Sequence, residues 1–136
     1  MISQADVYER IEIDLGVDPE TTHACRSVLN YLFDADRPKE NLNHISFIRL
    51  KTAIETNDDS LVIKVVRYLS GESLPIINIE FEFIDGNFIE QLSLENVRIT
   101  QAEDKYYHPE TGDPVEDFES KIFMYFSLSD FGREIK

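Results

Sequence analysis

The sequence predicts an α+β fold: four helices first, then a small antiparallel sheet built on a hairpin, then a short C-terminal helix. Three observations carry this. Apolar residues recur at three- and four-residue spacing up to Gly71. After Pro75 they alternate with polar residues instead. The alternating runs lie close together with short links, which suits antiparallel pairing. Helices followed by strands argue for α+β rather than alternating α/β.

The first helix is expected over Ser3–Leu15. Ser3 can cap it, Asp6 favours the positive end of the helix dipole, and Val7, Ile11 and Leu15 share a face. Gly16 follows as a stop. The second opens on Asp18-Pro19-Glu20, an N-cap acid, a proline at the first helical position and another acid. Cys25, Val28, Leu29, Leu32 and Phe33 form its apolar stripe, and the stretch from Asp34 to Pro38 ends it. A third helix is expected over Leu42–Thr56, with Ile45, Phe47, Ile48, Leu50 and Ile54 supplying apolar surface. Asp58-Asp59-Ser60 caps a fourth, Leu61–Ser70, which Gly71 stops.

Ile77, Ile79, Phe81 and Phe83 then alternate with Asn78, Glu80 and Glu82, a half-buried strand with an acidic outer face. Asp85-Gly86-Asn87 is a turn, and Phe88–Leu92 can return as the second arm of a hairpin. The stretch Ser93–Ile99 reads equally as a short helix or a strand. Residues 108–117 form a polar loop. Lys121–Leu128 is a second strand, and Ser129 caps a terminal helix through Glu134.

A chain of 136 residues, 42% apolar and with fifteen Phe and Tyr, matches one domain with its own core. It divides by pattern into a helical half, 1–71, and a strand-rich half, 72–136. The net charge is −14. The first half holds 8 basic and 12 acidic residues, the second 5 and 15, so −4 and −10 respectively. Such a field repels nucleic-acid phosphates and anionic membrane surfaces and attracts a basic protein or a cation. It also keeps a small protein soluble, whatever else it does. The lone Cys25 allows no internal disulfide. The first residues lack the basic and apolar regions of a signal peptide, and no apolar run is long enough to cross a bilayer. A cytoplasmic location is the expectation.

The segment Tyr125-Phe126-Ser127-Leu128-Ser129-Asp130-Phe131-Gly132-Arg133-Glu134-Ile135 resembles the closing strand-to-helix segment of winged-helix domains. Helices, then a hairpin, then a short final helix is also their order. The resemblance implies a winged-helix-like topology. Winged-helix DNA binders carry basic recognition helices and wings. Here the matching helix, Leu61–Ser70, offers only Lys64 and Arg67, and the wing would be acidic. The resemblance therefore implies a fold used for protein contacts.

Catalytic and cofactor motifs are absent. His23 and Cys25, two apart on a helix, face different directions, and Cys25 sits in the apolar stripe. No Gly-x-Ser-x-Gly, Ser-x-x-Lys or phosphate-cradling glycine loop occurs. Asp34-Ala-Asp36 begins like a calcium loop, but Lys39 stands where glycine is needed and Ile45 where glutamate is needed. His108, Glu110, Asp113 and Asp117 could gather a divalent cation, yet Pro109-Glu110-Thr111-Gly112 is ordinary turn chemistry. With 27 acidic residues, any pairing of carboxylates is uninformative about glycoside hydrolysis. No cofactor is expected.

Two surfaces remain. An acidic one combines Glu80, Glu82, Glu116 and Asp117 with Tyr106 and Tyr107, the composition of a binder of basic proteins. Immunity proteins, antitoxins and DNA-mimicking inhibitors use such faces. The leading expectation is thus a non-enzymatic protein-binding module or inhibitor of a basic partner. The other surface is a basic strip, Arg49, Lys51, Lys64 and Arg67, through which a winged-helix-like accessory domain could bind protein or DNA. An enzyme without a sequence motif is the third reading, and only a pocket with converging polar groups would support it.

Overall fold

A computed structural model describes residues 2–37 and 42–135. Its elements are α1 (Gln4–Leu15), α2 (Pro19–Leu32), β1 (Ile45–Ser46), α3 (Phe47–Ile54), α4 (Asp59–Leu69), β2 (Ile77–Asp85), β3 (Phe88–Leu92), α5 (Leu94–Glu103), β4 (Ile122–Leu128) and α6 (Asp130–Arg133). This is a mixed architecture of helices and one antiparallel four-stranded sheet, in the order β1-β4-β2-β3, consistent with α+β. Pro38, where the second helix was expected to have stopped, and Lys39, the position of the calcium-like run that needs glycine, lie outside the described residues.

The chain forms two compact units. One comprises Met1–Ile79 with Phe126–Lys136, the other Glu80–Tyr125. Strands β2 and β4 each contribute residues to both.

In the larger unit, helix starts follow their caps. The Ser3 side chain accepts from the Asp6 amide while Asp6 answers with a bond from the Ser3 amide, closing a capping box. Asp18 accepts from both the amide and the hydroxyl of Thr21, and Pro19 occupies the first turn. Asp58 starts α4. The inward faces of α1, α2 and α4 supply Val7, Ile11, Val28, Leu29, Val62, Val65 and Leu69 to one apolar cluster, joined by Leu50, Ile76, Phe126 and Leu128. Each such side chain, fully buried, stabilises the fold by about 1.5–3 kcal/mol relative to exposure.

The third helix is shorter than its apolar pattern suggested. Residues 42–46 are not part of it. Ile45 and Ser46 are extended and pair in the sheet, and the Ser46 hydroxyl accepts from the Arg49 amide to begin the helix. A helix-compatible run of apolar residues yields here to a serine cap and strand pairing. The helix ends at Glu55, whose φ is 63°.

At the C-terminus Ser129 caps α6. Its hydroxyl accepts from the Gly132 amide at 2.9 Å and donates to the Pro75 carbonyl at 2.5 Å. Gly132 lies so close to that segment that a Cβ would sit 2.6 Å from the Ile76 oxygen.

In the smaller unit, β2 and β3 form a hairpin whose register runs from Asp85 opposite Phe88 to Phe81 opposite Leu92. Gly86, with φ of 60°, takes the first central position of the two-residue turn, which side chains with a Cβ rarely adopt. The Ile84 amide donates to the Lys121 carbonyl, tying β2 to the start of β4. The ambiguous stretch after Ser93 is a helix. Ser93 accepts from the Asn96 amide, and Val97 and Thr100 turn inward. With α5 the α-helices among the described residues number six, one more than the sequence led us to expect. Phe83, Leu92, Val97 and Tyr106 form this unit's own buried cluster, packed against by Phe81, Phe88, Val115, Phe118 and Ile122.

Candidate functional site

The acidity has a sharper location in space than in sequence. The Glu80–Tyr125 unit holds three basic residues (Arg98, Lys105 and Lys121) against twelve acidic ones, a net charge of −9. The remainder of the chain holds ten against fifteen, a net of −5. Of the three basic residues, Lys121 is ion-paired with Asp85 at 3.5 Å.

The expected acidic surface residues do not share one face. Glu80 and Glu82 stand on one side of β2, and the Gln91 side chain donates to Glu80 at 2.6 Å. Tyr106 is buried on the opposite side, its ring 4.7 Å from Phe83. Burial raises its phenol pKa, with a smaller contribution from Glu90. Its hydroxyl has no hydrogen-bond partner among the described residues. Tyr107 is half exposed and forms an isolated bridge with Pro114. Glu116 and Asp117 are exposed on the loop before β4. Asp117, with φ of 53°, accepts from the Ser120 hydroxyl. A cleft of about 340 Å³ in this loop region is lined by Asp104, Lys105, Tyr106, Pro114, Val115, Asp117, Phe118 and Glu119.

Alternation places two further residues beside Glu80 and Glu82. Ile122 packs with the buried cluster, so Phe123 and Tyr125 point to the other face of β4. The Tyr125 phenol pKa is raised, first by burial and then by the Glu80 and Glu82 carboxylates. This acid–aromatic grouping went unread in the sequence. The strand over Lys121–Leu128 was legible, but which strand lies beside β2, and so which of its side chains meet Glu80 and Glu82, was not.

The His108 segment is a tight loop. The His108 amide donates to the Asp113 carbonyl and the Gly112 amide to the His108 carbonyl, both at 2.8 Å. The imidazole packs on Phe88 at 4.7 Å and Phe83 at 5.5 Å, and its Nδ1 accepts from the Glu110 amide. That bond occupies one ring nitrogen. The nearest carboxylate to Nε2 is Asp85, at 3.9 Å, rather than Glu110 or Asp113. Among the described residues no three His, Cys, Asp or Glu side chains are placed to hold a metal ion.

The basic strip divides. Arg49 lines a cleft of about 570 Å³ with Tyr31, Arg37, Asn43, His44, Ile45 and Ser46. Lys51 lies on another side of α3 and pairs with Asp59 at 2.7 Å. Lys64 and Arg67 are exposed on α4. Arg37 was not singled out from sequence; its guanidinium lies 4.1 Å from the centre of the Tyr31 ring. Cys25 is fully buried, and burial pushes its thiol pKa up to about 12, the direction opposite to a reactive nucleophile. His23, by contrast, is exposed.

Comparison of the chain with protein-family models, with curated proteins and with solved structures finds no match. No helix among the described residues is long and apolar enough to cross a membrane.

Proposed function

We propose that this chain is a non-enzymatic protein-binding module that recognises a basic protein, in the manner of an inhibitor, antitoxin or DNA mimic. The observation that carries the reading is the net charge of −9 gathered in the Glu80–Tyr125 unit. A concentrated field of one sign steers an oppositely charged partner and raises the association rate at low salt. Half-exposed Tyr107 and Phe123 add apolar contact area to that field.

The test is capture of a partner from native lysate at increasing salt, with the captured protein identified by mass spectrometry. Wild type should retain a basic protein at low salt and release it as salt rises. A variant with Glu80, Glu82, Glu116 and Asp117 all changed to Lys should lose it. Capture that survives these reversals removes the acidic surface from the reading.

A second reading places the contact on the helical half, as a winged-helix-like accessory domain binding protein or DNA. The cleft shared by Arg37, His44 and Arg49 favours it, as does the exposure of Lys64 and Arg67. A gel shift with duplex DNA at low salt separates the two, because phosphate contacts strengthen steeply as salt falls. No retardation there ends the DNA option.

A further inference from the structure

In the Glu80–Tyr125 unit, β2, β3 and β4 send alternate side chains to two faces. One face is closed by Phe81, Phe83, Phe88, Leu92 and Ile122, packed with Val97 and Tyr106. The other carries no such buried cluster among the described residues, and Glu80, Glu82, Ile84 and Tyr125 on it are half-buried. Its centre is Glu80, Glu82 and Ile84 on β2. The register sets Gln91 opposite Glu82 and Ile89 opposite Ile84. Phe123 and Tyr125 of β4 complete it, and Tyr125 stands within the field of both carboxylates. Phe123 is 47% exposed and Ile89 62% exposed. Exposed aromatic and aliphatic side chains on β4 and β3 thus flank the carboxylates of β2.

The chemistry of this face selects its occupant. Arginine is the side chain that satisfies a carboxylate and an aromatic ring together: its planar guanidinium stacks on the ring and its fork donates to the carboxylate. Glu80 and Glu82 are separated by two residues of extended strand, about 7 Å. An extended peptide repeats its side chains on one face at the same interval. An Arg-x-Arg segment therefore meets both carboxylates in register, while Ile84 and Ile89 accept an apolar neighbour. We infer that the open face of β2, β3 and β4 receives an arginine-bearing extended segment of a basic protein, its guanidinium groups held between Glu80 and Glu82 and the rings of Phe123 and Tyr125. This rests on the protein-binding reading above and names the surface and side chain that perform it.

The probe is a capped Arg-Gly-Arg-Gly-Arg peptide, with a Lys-Gly-Lys-Gly-Lys peptide as its charge-matched control, titrated into the full chain at physiological salt. Affinity is read by calorimetry and location by amide chemical shifts. The arginine peptide should bind more tightly than the lysine peptide, with shifts concentrated on β2 and β4. Phe123→Ser leaves the charge unchanged and should weaken binding about threefold to fivefold, the range of an exposed cation–π contact. Phe123→Tyr should restore it. Glu82→Gln should weaken binding, whereas Glu95→Gln, exposed on α5, should not. Circular dichroism checks that each variant folds, and the Phe123→Tyr and Glu82→Gln arms stand if Phe123→Ser does not. Binding of both peptides with equal strength, indifferent to Phe123 and Glu82, would overturn the inference and leave the basic-partner reading intact. Absence of binding by either peptide likewise overturns the inference, while the basic-partner reading stands or falls on the salt-dependent capture described above.

Discussion

Tyr106 is the residue whose environment departs most from expectation. It was read as a wet interface tyrosine and is instead a buried ring in the core of the smaller unit, packed on Phe83. A buried hydroxyl without a partner loses its hydration for no return. Removing it should therefore not destabilise: Tyr106→Phe is expected to be neutral or to stabilise by up to about 1 kcal/mol, measured by chemical denaturation. A loss of stability would show that the phenol has a partner. Asp14 shows the opposite case, an exposed carboxylate that is well satisfied. It accepts from the Tyr68 hydroxyl at 2.7 Å and the Ser73 hydroxyl at 2.8 Å, and these bonds lower its pKa. Asp18 is lowered likewise by the Thr21 hydroxyl and amide. A pKa depressed by folding adds stability above the unfolded carboxylate range and surrenders it as pH falls through the folded value. The stability advantage of wild type over Asp14→Asn should thus be full at neutral pH and close progressively below about pH 4. Melting curves across that range test it; a gap that widens in acid would refute the assignment.

At the scale of elements, local chemistry and long-range pairing divided the work. Ser3, Asp18, Asp58, Ser93 and Ser129 each start the helix that follows them. Four of these were readable as caps, because a cap needs only its own next turn. The Ser93 helix was not, since Val97 and Thr100 gain their inward face only where the hairpin supplies a core. β1 was missed for the same reason. Two extended residues carry no periodicity, and sheet pairing alone keeps Ile45 and Ser46 out of α3. The short α6 depends on a close approach that no pattern announces. A methyl group at Gly132 would lie 2.6 Å from the Ile76 oxygen and 2.7 Å from Leu128 Cδ1. Gly132→Ala should cost about 1–3 kcal/mol through displaced backbone, although alanine is the better helix former. Thermal unfolding checks the sign, which helix propensity alone would reverse.

For the whole molecule, the governing quantity is charge. A net of −14, with −9 in 46 residues, opposes compaction through self-repulsion. Salt should therefore stabilise: the melting midpoint is expected to rise between low and moderate ionic strength as the Debye length shortens from about 30 Å to about 10 Å. A fall would mean that ion pairs such as Lys51–Asp59 outweigh the repulsion. Composition determined the sign and size of this field, and local pattern the α+β class and most helix starts, because these depend on residue counts or on neighbours close in sequence. Tertiary structure decided which acids and aromatics meet. Phe123 went outward through strand alternation, and Tyr106, in the loop after α5, went inward against a core whose members lie far apart in sequence. Arg49 and Lys51 parted because two positions along a helix turn side chains to different sides. The sequence by itself announces an acidic protein; only the pairing of β2 with β4 sets Glu80 and Glu82 beside Tyr125, because strand register is a property of two segments and is written in neither alone.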